Sequence, residues 1–152
     1  MRQFSPEHLA ALAVMAAALI VAVRAPHAIP RRALAAAILG AFLLEYLVNA
    51  FQSTWDWGFN LPLQLSDVVA LLAPLALWTG APLLVEIVYF WGLTASLQAV
   101  LTPDLNQAFP SVFYFTYFTT HCGVVVAAAA LALILFALLY ALARHDSPPW
   151  LS

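Results

Sequence analysis

Long apolar stretches separated by short polar connectors run through the whole chain. Five of them read as membrane-length or near-membrane-length helices, at about residues 7–23, 32–51, 61–78, 82–101 and 111–143. A helix rises 1.5 Å per residue, so about 20 apolar residues cross the hydrocarbon core of a bilayer. The fifth stretch exceeds that length and is expected to tilt or to emerge from the bilayer. The pattern predicts an all-α, polytopic transmembrane bundle of about five helices, forming one domain over residues 1–152.

The connectors agree with this division. Arg24 to Arg32 is a basic loop bounded by Pro26 and Pro30. Gln52 to Asn60 carries Trp55 and Trp57, which suit a headgroup interface. Thr79-Gly80-Ala81-Pro82 is a tight turn, with Pro82 placed to open the next helix. Thr102 to Pro110 is the last connector, and Pro74 predicts a kink inside the third helix. Arg24, Arg31 and Arg32 assign the first connector to the cytoplasmic face, and Arg144 falls on the same side after five spans. The expected orientation is therefore N-terminus outside and C-terminus inside, in a multi-pass protein of the cell membrane. A cleaved signal peptide does not fit, because Glu7 offsets Arg2 and further spans come after it.

Composition narrows the function classes. The chain has 152 residues, 65% hydrophobic and 8% charged, against roughly 25% charged in soluble domains. Lysine is absent and the formal net charge is −2, so no basic stripe exists to hold nucleic acid. The single cysteine, Cys122, has no internal disulfide partner. Membrane lipids are the expected partners, and association into a homo-oligomer stays open.

Polar groups are expensive in hydrocarbon and face the protein interior or a cavity. Glu45, Asn49 and Gln52 share a face near the outer end of the second helix, and Asn60, Gln64 and Asp67 share one on the third. Thr94 and Gln98 share a face of the fourth, and Tyr114, Tyr117 and His121 one of the fifth. Glu86 alone lies toward the inner end. Four polar faces at one depth predict a single cavity opening toward the outer leaflet. The alternative is interhelical hydrogen bonding, worth about 0.6 kcal/mol per bond, which is the better account of any single Thr, Asn or Gln. Glu45, Asp67 and His121 are ionisable and stand out as functional candidates.

Ser66 is the best-placed nucleophile for His121, which can act as its base. On an ideal helix Ser66 points about a third of a turn from the Gln64/Asp67 face, so Ser66 and Asp67 cannot both aim at His121. Asp67 or Glu45 could orient His8 or His121. Ser66 bonded to a backbone carbonyl of its own helix explains that residue equally well. Cys122 is about 100° around the helix from His121 and cannot pair with it directly.

Several strings then carry a family resemblance. They are Phe4-Ser5-Pro6-Glu7-His8, Leu61-Pro62-Leu63-Gln64-Leu65-Ser66-Asp67, Tyr89-Phe90-Trp91-Gly92-Leu93, Gln98 to Leu105, and Phe113 to Gly123. Over nearly its whole length the chain resembles the YwaF-like bacterial integral membrane proteins. It looks distantly related to eukaryotic multispanning ether-phospholipid acyltransferases. The resemblance implies a lipid acyl-transfer or hydrolase-like site with a cysteine nucleophile and a histidine partner. By position, the motif cysteine corresponds to Ser66, the motif histidine to Gln64 and the downstream histidine to His121. Two positions of the strongest motif thus depart from the pattern, and the relatives continue through further helices.

Two readings result. In the first, the protein is a lipid acyltransferase or lipid hydrolase with Ser66 and His121 as catalytic residues. His8, Glu45, Gln64, Asp67 and Gln98 then form a supporting or substrate-binding polar cluster. In the second, it is a non-catalytic lipid-binding or partner-binding subunit, or a truncated inactive relative. A transport path is disfavoured, since the inner halves of the second and fifth helices are almost wholly Ala, Leu, Ile and Val. No metal or cofactor is expected. His8, His27, His121 and His145 fall on different segments without helix-ligand spacing, and His8 with His121 has no clear third ligand.

Overall fold

The computed structural model describes residues 2–52 and 61–145. Trp55, Asp56, Trp57 and Asn60 lie outside the described residues. Five helices succeed one another: α1 (Pro6–Arg24), α2 (Arg31–Phe51), α3 (Leu65–Thr79), α4 (Pro82–Leu101) and α5 (Val112–His145). A short 3₁₀ turn, Pro26–Ala28, links α1 to α2. Four of the helices are long and apolar enough to cross a membrane, and α3 is a shorter apolar helix. The protein is a multi-pass membrane protein.

Pro6 and Pro82 open α1 and α4, where their missing N–H groups cost nothing. The third helix begins at Leu65, later than the hydropathy pattern suggests. Pro62 disfavours a helical Leu61, and Leu61 to Leu63 close a tight backbone turn instead. Gln64 then caps α3 in extended conformation. Its 15 residues span only about 22 Å of a core about 30 Å thick. The chain continues helical through Pro74, which is buried against its neighbours.

α4 contains a π-helical turn at Gly92–Ser96, which hydropathy does not signal. There Gly92 brings the backbone against α5. A Cβ on Gly92 would lie 3.2 Å from Ala128 Cβ and from Val124 Cγ1. A π-turn inserts one residue into the helical ladder and rotates the residues beyond it.

All the other helices pack on α5. Without a hydrophobic drive between helices in lipid, close van der Waals contact is what holds them, and small side chains permit it. The main core joins Ala35, Ile38 and Phe42 of α2, Val69, Ala70 and Ala73 of α3, and Val85 and Val88 of α4 to Val124, Ala127, Ala128 and Leu131 of α5. A second cluster seats Met15 of α1 and Val100 of α4 on Tyr114, Phe118 and Val125.

Among the described residues the tightest glycine contact lies between α2 and α5. A Cβ on Gly123 would meet Ile38 Cγ1 at 2.7 Å, and Ile38 is fully buried. Gly123→Val should therefore lower stability by about 1–3 kcal/mol through overpacking. Thermal unfolding of the detergent-solubilised protein measures this, and Ile38→Ala in the same chain should restore part of the loss.

Candidate functional site

The N-terminus of α1, the start of α3, the end of α4 and the start of α5 meet at one end of the bundle, and the Arg24–Arg32 turn lies at the other. At the first end a cavity of about 650 Å³ opens between α2, α3, α4 and α5. Glu45 and Asn49 line it from α2, Ser66 and Asp67 from α3, Gln98 and Thr102 from α4, and Tyr117, Thr120 and His121 from α5. Gln64 contributes from the cap of α3, and Asp104, Asn106 and Gln107 from the α4–α5 connector.

The short reach of α3 places this chemistry. Its first N–H groups have no intrahelical partner, as at any helix start. Gln64 O accepts from Asp67 N at 3.0 Å and from Val68 N at 3.1 Å. Ser66 and Asp67 occupy the first turn and both reach the cavity half-buried.

The walls are tied by specific bonds. Thr116 Oγ1 donates to Glu45 Oε2 at 3.0 Å, joining α5 to α2 beside the cavity. Asn49 Nδ2 donates to the Glu45 carbonyl at 3.0 Å. Gln98 Nε2 donates to Thr102 Oγ1 at 2.7 Å, one turn further along α4. Tyr117 donates its hydroxyl to Ala99 O at 2.8 Å, and its ring stands edge-on to His121 at 4.4 Å between centroids.

Two polar groups facing this space are left unsatisfied. His121 is 9% exposed and Thr120 4%. His121 Nδ1 and Thr120 Oγ1 have no hydrogen-bond partner among the described residues. Buried polar atoms are ordinarily paired, and these two are desolvated groups sealed inside the cavity wall.

Ser66, His121, Glu45, Gln64, Asp67 and Gln98 thus surround one space, and His8 does not. His8 is fully buried between α1, α4 and α5. Its Nδ1 accepts from Phe4 N at 2.9 Å, which leaves Nε2–H to donate to Val100 O at 2.7 Å. The neighbouring carbonyls of α4 are met the same way, Ala99 by Tyr117 and Leu101 by Gln3 Nε2 at 3.0 Å. The last turn of a helix leaves carbonyls without intrahelical donors, and these three side chains satisfy them in sequence.

Two shared faces expected from ideal spacing are split. Thr94 turns its hydroxyl back to Phe90 O at 2.8 Å and stays outside the cavity, because the π-turn breaks its phase with Gln98. Tyr114 leans toward α1 instead, donating to Glu7 O at 2.7 Å. Cys122 likewise faces away from the cavity. Thr116 and Thr120 are residues that the sequence reading misses. Their four-residue spacing runs beside that of Tyr117 and His121, a signal that could have shown them. No group of three His, Cys, Asp or Glu side chains among the described residues is placed to hold a metal ion.

The family model described as TMEM164 family matches residues 3–142. The chain belongs to the TMEM164 family. No curated protein and no solved structure gives a match. In this TMEM164-family chain the matched region takes in every residue that lines the cavity.

The tie made by His8 is structural, and its loss strands the Phe4 N–H and the Val100 carbonyl. His8→Ala should cost about 1–3 kcal/mol for the unmet groups alone. Gln98→Ala, at an exposed position, should stay within about 0.5 kcal/mol. Melting of the two variants beside wild type in one detergent makes the comparison.

Proposed function

We propose that the protein is a lipid acyltransferase or lipid hydrolase of the cell membrane, with Ser66 as nucleophile and His121 as general base. The observation that carries this reading is that Ser66 and His121 line one polar cavity. The resemblance to YwaF-like proteins and to ether-phospholipid acyltransferases supports it, since Ser66 and His121 stand at the positions of that pattern's reactive residues.

In this reaction Ser66 Oγ attacks the carbonyl carbon of a fatty-acyl ester while its proton passes to His121. The ester C–O bond breaks, and His121 returns the proton to the departing alcohol of the lipid. Water or a second lipid hydroxyl then attacks the acyl-enzyme, giving its proton to His121, which passes it to Ser66 as the serine leaves. The helix dipole at the start of α3 favours negative charge beside Ser66, and Gln64 and Gln98 supply side-chain donors for the oxyanion. Serine is a weaker nucleophile than cysteine unless activated. The cavity opens toward the outer leaflet if the arginine-bearing loop is cytoplasmic.

A non-catalytic lipid-binding role is the second reading. It is favoured by the buried Nδ1 of His121, because a catalytic base is ordinarily oriented by a third group and Nδ1 has none among the described residues.

A serine-reactive lipid-like fluorophosphonate should label the purified wild type, and Ser66→Ala and His121→Ala should each lose at least about 90% of that signal. Ser66→Cys should retain turnover of a lysophospholipid–acyl donor pair. Equal labelling of wild type and both alanine variants sinks the catalytic reading. Lipid that copurifies without turnover, and survives Ser66→Ala, establishes the binding role.

A further inference from the structure

On the other side of α5 lies a second recess, and its chemistry is the reverse of the first. α1 packs along α5, and α2 packs along α5 and α3, so the first two helices flank a groove with α5 as its floor. The groove measures about 650 Å³. Val14 and Ala18 line one wall, Ala33 and Ala37 the other, and Phe118 and Gly123 the floor. Ile29 and Pro30, in the turn between the two helices, line its far end. Its walls and floor belong to three helices that are long and apolar enough to cross a membrane.

Charge at one end of the groove selects the occupant. The turn at its far end carries Arg24, His27, Arg31 and Arg32, all exposed, and no acidic residue. Among the described residues none of the three arginines pairs with a carboxylate. Arg31 and Arg32 adjoin Pro30, which lines the far end of the groove, and do not themselves line it. Basic clusters at the membrane edge between helices are where anionic headgroups bind. Guanidinium groups are well matched to phosphate oxygens.

We infer that the α1–α2 groove is a binding site for an anionic phospholipid, with a tail between the two helices and its phosphate on the arginine-bearing turn. The site is separate from the polar cavity and calls for no chemistry there. It fills the gap beside α1, which packs mainly on α5 and on its own connecting turn. The lipid is therefore a wedge that holds α1 in place.

The full-length protein, purified in detergent and incubated with equal amounts of phosphatidylglycerol and phosphatidylcholine, tests this by mass spectrometry of the lipid retained after gel filtration. Wild type should retain phosphatidylglycerol in preference. Arg31→Gln keeps the other two arginines of the turn and should cut that preference about fivefold, the effect of one cation at a membrane surface. Ala37→Phe puts a ring into the groove from an exposed position and should abolish retention of both lipids. Equal retention of the two lipids by wild type overturns the proposal, as does a preference unchanged in both variants. A dimer seen by light scattering and dissociated by Ala37→Phe also overturns it, assigning the groove to a second copy of the chain. Each readout is lipid retention and not turnover, so failure here leaves the reading of the Ser66 cavity untouched.

Discussion

Contact between small side chains along α5 is what the other four helices depend on. In lipid, apolar side chains gain little by exchanging hydrocarbon tails for one another, so helices associate through close packing and a few hydrogen bonds. Ala127, Ala128 and Gly123 let α2, α3 and α4 approach α5 closely, and Gly92 does the same from the side of α4. A helix that is apolar all round is buried. α5 obeys that rule from Val124 to Ala132, where Ala129 alone is partly exposed. The partners held on that column have their rotations set by it.

The polar end of the bundle is built on that frame. Because α3 is short, its first turn brings Ser66 and Asp67 to the level of Glu45 and His121. The π-turn in α4 re-phases Gln98 and Thr102 relative to Thr94. Thr116 locks Glu45, Tyr117 locks Ala99, and His8 locks Val100. Each bond satisfies a group that hydrocarbon would leave unpaired. His121 and Thr120 are exceptions, sealed inside the cavity wall.

The two recesses divide the surface of α5 by chemistry. Tyr117, Thr120 and His121 face the polar cavity, while Phe118, Cys122 and Gly123 face the apolar groove. Helical geometry makes this possible, since neighbouring residues point about 100° apart. One helix thereby serves a polar site and a hydrocarbon site at nearly the same depth. In the proposed roles, the first handles the reacting end of a lipid and the second holds a lipid as part of the fold.

Much of this was legible in the order of residues. Apolar runs of membrane length report helices directly, because a backbone in lipid must satisfy its own hydrogen bonds. The four-residue spacing of Glu45 with Asn49 and of Tyr117 with His121 placed those pairs on common faces, and the structure puts all four around one cavity. Local spacing could not supply the partner of each face. The late start of α3 turns on Pro62, the π-turn accommodates Gly92 against Val124 and Ala128, and the burial of His8 depends on a carbonyl 92 residues away. Sequence alone determined that this is a helical membrane protein with its polar groups gathered at one end, since hydropathy and helical period are local properties. Tertiary structure alone decided which of those groups meet, because the rotation and depth of each helix are set by contacts with residues far away in the chain.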